Sequence, residues 1–146
     1  PESRGSSLIT NSDPSSSPEI RPNYLSTPGD QEVAVQSIQL TRRIMAQPAL
    51  APYDPTEWRP GAEQLSHSDL VKGAGDIGTT LFHPVGTCRM GADARAVVDS
   101  HLRLKGIERL YVVDASVMPR ITSGNTNAPT AMIAEKFCLD FLRTVK

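Results

Sequence analysis

Three polar clusters hold the residues whose types and spacing could do chemistry: His83-Pro84-Val85-Gly86-Thr87-Cys88-Arg89-Met90-Gly91, then Val112-Val113-Asp114-Ala115-Ser116-Val117-Met118-Pro119, then Ser123-Gly124-Asn125-Thr126-Asn127-Ala128-Pro129-Thr130. His83 precedes a proline, which pushes its backbone into the extended or polyproline region and so fixes where its ring points. Imidazole titrates near neutrality, and on a rigid mount it makes a good general base. The competing reading is a structural histidine after a strand. Asp114 closes an apolar run and precedes small residues, as a ligand-facing carboxylate at a strand end would and as a turn cap would equally. The third cluster opens a helix. Unpaired N–H groups of a first turn suit an electron-rich ring atom or an anion, and Asn125 adds a neutral hydrogen-bonding amide. Plain capping by Asn127 accounts for the same pattern.

The elements that must position these residues fall into two halves. Nine of the twelve prolines lie in residues 1–60. Ser6–Thr10 and Glu19–Arg21 read as short edge strands, where proline nearby is tolerated, separated by Ser/Pro-rich loops. Residues 30–47 read as a helix capped by Asp30 and ended by Pro48, with Val33, Ser37, Leu40 and Ile44 on its apolar face. Residues 48–62 read as a proline-rich connection. A short helix over 68–75 is capped by Ser66 or Ser68 and weakened by its glycines. Thr79–Phe82 is a short β-prone run, and Leu110–Val113 has the signature of a buried strand. Residues 128–144 read as a helix with Pro129 in its first turn. Arg42 and Arg43 are expected on a solvated face, Trp58 in packing, His67 and His101 isolated and exposed, and Cys88 and Cys138 as small buried groups.

Composition removes several classes of function. The 146 residues carry 15 Lys+Arg against 16 Asp+Glu, with 38% apolar residues. No basic block favours sequence-independent binding to nucleic acid, and no run approaches the ~20 apolar residues of a membrane span. Two cysteines make neither a disulfide framework nor a zinc site. They fit a reducing compartment, which slightly favours the cytoplasm. The chain opens on Pro1-Glu2-Ser3, without the pattern of a signal peptide, and is expected to be part of something longer.

Taken together and in order, HPVGTCRMG, VVDASVMP and SGNTNAPTAMIAEK closely resemble the C-terminal region of the glucose–methanol–choline (GMC) flavoprotein oxidoreductases. The resemblance is strongest over residues 79–141. It runs more weakly through Pro1–Gly5, Asn11–Pro14 and Asn23–Leu25. It implies an α+β, partly α/β chain: substrate-domain strands and helices plus the last strand and helix of a Rossmann-like FAD domain. Residues 1–80 would belong to the substrate-binding domain, 81–109 would carry the active-site segment and connection, and 110–146 would supply the final strand and helix.

The resemblance also implies chemistry. Family members oxidise an alcohol to a carbonyl and reduce bound FAD. His83 falls on the catalytic base and Asn125 on the second active-site position, where asparagine points to the choline dehydrogenase-like branch. Asp114 and Ala115 fall on positions that approach the FAD ribityl and pyrophosphate. The backbone around Asn125, Thr126 and Asn127 would approach the pyrimidine edge of the flavin. One departure is large: no G-x-G-x-x-G follows a strand, since Gly73, Gly75 and Gly78 do not form that motif. The adenine half of FAD would therefore need the missing N-terminal part of the enzyme, and the isolated chain is expected to be inactive. The implied partners are that part and a small-molecule alcohol. Two other readings stand beside this one: a hydroxynitrile lyase on the same scaffold, and a truncated, non-catalytic binding domain.

Overall fold

The structure, a computed structural model, describes residues 1–144, so the last two positions of the expected 110–146 segment lie outside the described residues. The chain divides into two compact units, one from Pro1 to Thr79 and one from Thr80 onward. Together they give an α+β chain with one small open antiparallel sheet and several helices.

In the first unit, β1 (Ser6–Leu8) pairs antiparallel with β2 (Glu19–Arg21), with Ser6 opposite Arg21 and Leu8 opposite Glu19. Helix α1 spans Pro28–Met45 and packs against α2, His67–Ile77. The cap of α1 differs from expectation. Thr27 holds that position, its hydroxyl accepting the Asp30 N–H, and Pro28 occupies the first turn, where a missing N–H costs nothing. Asp30 instead reaches outward and accepts the N–H groups of Glu2 (2.9 Å) and Ser3 (2.7 Å). The buried face also differs. Val35 is 2% exposed, while Val33, Leu40 and Ile44 lie open. The inward stripe runs through Val35, Ile38 and Arg42, because α2 with its buried Leu70 packs on that side.

Arg42 therefore leaves the solvated face assigned to it. Its guanidinium makes a two-pronged pair with Glu57, both bonds 2.8 Å, and donates to the carbonyls of Gly61 (3.0 Å) and Gln64 (2.9 Å). It ties the proline-rich connection to α1. That connection begins with a 3-10 helix at Pro48–Tyr53. Trp58, expected in packing, is 84% exposed, with the Arg59 guanidinium 4.6 Å from its ring centre. Helix α2 outgrows its expected span. Ser66 caps it through the Asp69 N–H, and Gly73 is where the helix comes against Pro60: a Cβ there would sit 2.7 Å from the proline's own Cβ. His67 is exposed but not isolated, since its Nε2 lies 3.2 Å from a Glu32 carboxylate oxygen.

The second unit is built from loops around one long helix, α3 (Asn127–Thr144). Its core is Val98, Leu102 and Val117, with Met90, Val112, Ile133 and Phe137 packed against them. Tyr111, Phe137 and Phe141 form an aromatic cluster with ring centres 5.1–5.9 Å apart. The expected strand at Leu110–Val113 is reduced to one bridge, Arg103 with Tyr111, flanked by Leu104 N–H to Leu110 O and Val112 N–H to Leu102 O. The run pairs along one edge only, so no ladder extends. The Thr79–Phe82 run forms no strand either: Phe82 sits at φ +60°, which breaks extended pairing. Cys88 is half-buried and Cys138 exposed, not the small buried groups expected. Among the described residues, no helix is long and apolar enough to cross a membrane.

Candidate active site

The three clusters singled out in the sequence all belong to the second unit. Two backbone hydrogen bonds join the first to the second: Cys88 N–H to Ser116 O at 3.1 Å and Met90 N–H to Val117 O at 2.8 Å. Gly86 makes the turn that allows this, at φ +89°, and a Cβ there would lie 3.4 Å from the Met118 carbonyl oxygen. Val117 then enters the core beside Ile133 and Phe137 of α3. This couples the second cluster to the helix that the third cluster opens.

His83 is half-buried, and its ring takes no hydrogen-bond partner among the described residues. Its neighbours are constrained instead. Pro84 follows it, and Phe82 before it holds a left-handed backbone, its N–H donated to the Thr80 hydroxyl at 3.0 Å. Asp114 takes the capping role. Its Oδ1 accepts the Ser116 N–H at 2.8 Å and the Ser116 hydroxyl, holding a short 3-10 turn at Ala115–Val117. Its other carboxylate oxygen takes no partner among the described residues, and the residue is exposed.

Thr122 braces the third cluster, its hydroxyl donating to the Gly124 carbonyl at 3.0 Å. Asn125 is exposed. Thr126 is buried, and its carbonyl accepts both the N–H and the hydroxyl of Thr130. Helix α3 starts at Asn127, so Thr126 holds the capping position that the sequence assigned to Asn127. Asn127 and Ala128, both exposed, then present first-turn N–H groups without intrahelical acceptors.

Arg89 grips Asp93 with two bonds of 2.7 and 2.9 Å, and the guanidinium holds the Asp93 carboxyl well below the usual carboxylate range. A groove of about 640 Å³ lined by Asp99, Arg103, Ile107, Arg109 and Tyr111 contains none of the candidate residues. Among the described residues, no group of three or more His, Cys, Asp or Glu is arranged to hold a metal ion. Sequence reasoning passed over Thr80. The signal was available, since a threonine two residues before a residue can accept its N–H in a local turn.

A family model described as GMC oxidoreductase matches residues 1–134. The chain is 46% identical over 144 residues to the oxygen-dependent choline dehydrogenase of Proteus mirabilis, covering 99% of this chain and 26% of that protein. It is 41% identical over 145 residues to an alcohol dehydrogenase [acceptor] of Pseudomonas putida, again 99% of this chain and 26% of the relative. Among solved structures, pyridoxine 4-oxidase from Mesorbium loti superposes with a TM-score of 0.88 at 36% identity, covering 98% of this chain and 28% of the other. The chain belongs to the GMC oxidoreductases, a family of FAD-binding proteins, as a C-terminal region close to the choline dehydrogenase branch. It spans about a quarter of the length of the curated relatives it matches.

Proposed function

We propose that this chain is the C-terminal part of an FAD-dependent enzyme that oxidises a CH–OH group to a carbonyl, with His83 as the base. The observation that carries the reading is the pairing of Cys88 with Ser116 and of Met90 with Val117, in the unit whose core takes in α3. It brings the histidine segment, the Asp114 turn and the helix start into one scaffold. The named relatives act in the same direction: choline and pyridoxine both carry hydroxymethyl groups.

The donor set fits a flavin. The first-turn N–H groups of Asn127 and Ala128 suit the carbonyl and ring nitrogen of its pyrimidine edge, and a helix N-terminus favours negative charge there by about 0.3–1 kcal/mol. Asp114, acceptor-only when ionised, suits the ribityl hydroxyls, with Ala115 beside it offering small size and backbone. FAD when bound accepts the hydride. His83 takes the hydroxyl proton of the alcohol at a ring nitrogen. Asn125, a neutral amide that cannot serve as base, hydrogen-bonds the substrate oxygen and orients it, an effect worth several kcal/mol of barrier. Leu110–Val113 is read as the last strand of the FAD domain, its ladder completed by the N-terminal part of the enzyme.

Anaerobic flavin reduction tests this in the whole flavoprotein that carries the chain. His83→Ala is expected to slow reduction by about 10²–10⁴-fold with flavin content unchanged. An unchanged rate removes His83 from the base role. The isolated 146 residues are expected to leave gel filtration without FAD, and a yellow stoichiometric complex would overturn the need for the missing part.

A further inference from the structure

His83 is constrained from both sides by its own chain. Pro84 restricts its ψ. On the other side, Phe82 stands at φ +60°, a region an aromatic L-residue seldom enters. Among the described residues, packing does not force that conformation: Phe82 is 80% exposed and Leu81 beside it 82% exposed. What favours it locally is the bond from the Phe82 N–H to the Thr80 hydroxyl at 3.0 Å. Histidine bases commonly take their orientation from a hydrogen bond to the second ring nitrogen. Among the described residues His83 has no such bond, and the backbone on either side sets where its Cα–Cβ bond points and so which rotamers reach the substrate.

We infer that Thr80 and Phe82 are positioning residues for His83: the Thr80 hydroxyl holds Phe82 in the left-handed region, and that turn aims the imidazole at the substrate hydroxyl. The inference rests on the reading of His83 as base. Neither residue touches the reacting atoms in this account. Thr80 has one separable property, its hydroxyl oxygen as acceptor. Phe82 has another, its tolerance of positive φ. Glycine enters that region freely, so at position 82 it removes the need for the hydroxyl.

The test uses the whole flavoprotein, with choline and benzyl alcohol as reductants in single-turnover, anaerobic flavin bleaching. Thr80→Val is expected to lower the limiting reduction rate about three- to tenfold, the population shift that loss of one ordinary hydrogen bond allows. The substrate concentration at half-maximal rate and the pH of half-maximal rate are expected to stay put. Thr80→Ser keeps the acceptor and the rate. The double variant Thr80→Val/Phe82→Gly is expected to recover the rate lost in Thr80→Val, which a merely structural role for Thr80 would not produce. Equal rates for Thr80→Val and the parent overturn the inference, as does a double variant no faster than Thr80→Val. His83→Ala run alongside separates the two readings: if it reduces normally, the base assignment fails, whereas a slow His83→Ala with a normal Thr80→Val rejects only the positioning. A crystal structure of the whole Thr80→Val protein gives a readout independent of turnover. Phe82 is expected to leave positive φ with the His83 ring rotated, and an unchanged turn overturns the inference.

Discussion

Replacing Arg42 by alanine removes four hydrogen bonds at once, and their partners set the cost. The carbonyls of Gly61 and Gln64 each lose a donor, at about 1 kcal/mol apiece. Glu57 loses its two-pronged partner and keeps only the Gly61 N–H at 3.3 Å. The paired side chains are 24% and 21% exposed. That places the pair between a surface salt bridge and a buried charged bond, so about 1 kcal/mol is appropriate. The expected total is about 3 kcal/mol, more than a hundredfold in the unfolding equilibrium. Urea unfolding of the chain can be followed by the far-ultraviolet circular dichroism of its helices α1, α2 and α3. Glu57→Gln keeps both carbonyl bonds and is expected to cost about 1 kcal/mol. The Arg42→Ala/Glu57→Ala cycle should show a coupling near that same value, about 1 kcal/mol. The Arg42 bond holds the Glu57 carboxyl below its ordinary 4.5. Its stabilisation is therefore full above that pH and disappears as acid protonates the folded carboxylate. A cost for Arg42→Ala under about 1 kcal/mol, or a cycle without coupling, would show that solvent competes for these bonds and that the clamp does not hold the connection.

Three further outcomes follow from the packing and the carboxylates. Gly73→Ala gains about 1 kcal/mol of helix propensity but presses a methyl to 2.7 Å from Pro60, an overpacking cost of about 1–3 kcal/mol. Its melting temperature should fall. Gly75→Ala, whose nearest neighbour would be Leu25 at 4.0 Å, should raise it, and a rise in both would show that Pro60 yields. Val117→Ala empties part of a fully buried site and should cost about 2–3 kcal/mol in the same urea titration; a loss under about 1 kcal/mol would mean the loops collapse into the space. Acid should destabilise the fold below about pH 4. Asp30 is held below its ordinary value by the Ser3 hydroxyl and the N–H groups of Glu2 and Ser3. Burial pushes Asp99 up, but the Arg103 and His101 N–H groups and their charges outweigh it. Both folded carboxyls sit below their unfolded values, so the unfolded chain binds more protons and stability is lost as the pH is lowered. Asp30→Asn should flatten that fall, and an acid limb beginning above about pH 5 would assign it to other groups.

What was legible in the sequence was what local chemistry decides. α1 stops at Met45, just before Pro48, Pro129 sits in the first turn of α3, and the short runs Ser6–Leu8 and Glu19–Arg21 pair as a ribbon. The family follows from three ordered motifs, and the scaffold confirms it. Faces and caps were less legible. The Val33–Ile44 stripe and the inward Val35–Arg42 stripe both obey helical spacing, and only the presence of α2 on one side chooses between them. Asp30 and Thr27 are both good caps by type; the N-terminal segment drew Asp30 away. Arg42 and Glu57 stand fifteen residues apart, beyond any local pattern. Leu110–Val113 carries the composition of an interior strand, but strand formation depends on neighbours on both edges.

The division at Thr79 and Thr80 has a consequence for how this family can vary. His83, Asp114, Ala115, Asn125, Thr126 and Asn127 share one unit, and the helices α1 and α2 share the other. The residues proposed to carry the chemistry thus share no stretch of backbone with α1 or α2. Under the proposed reading, residues 1–79 are the segment to vary in a library for substrate preference and the second unit the segment to hold constant.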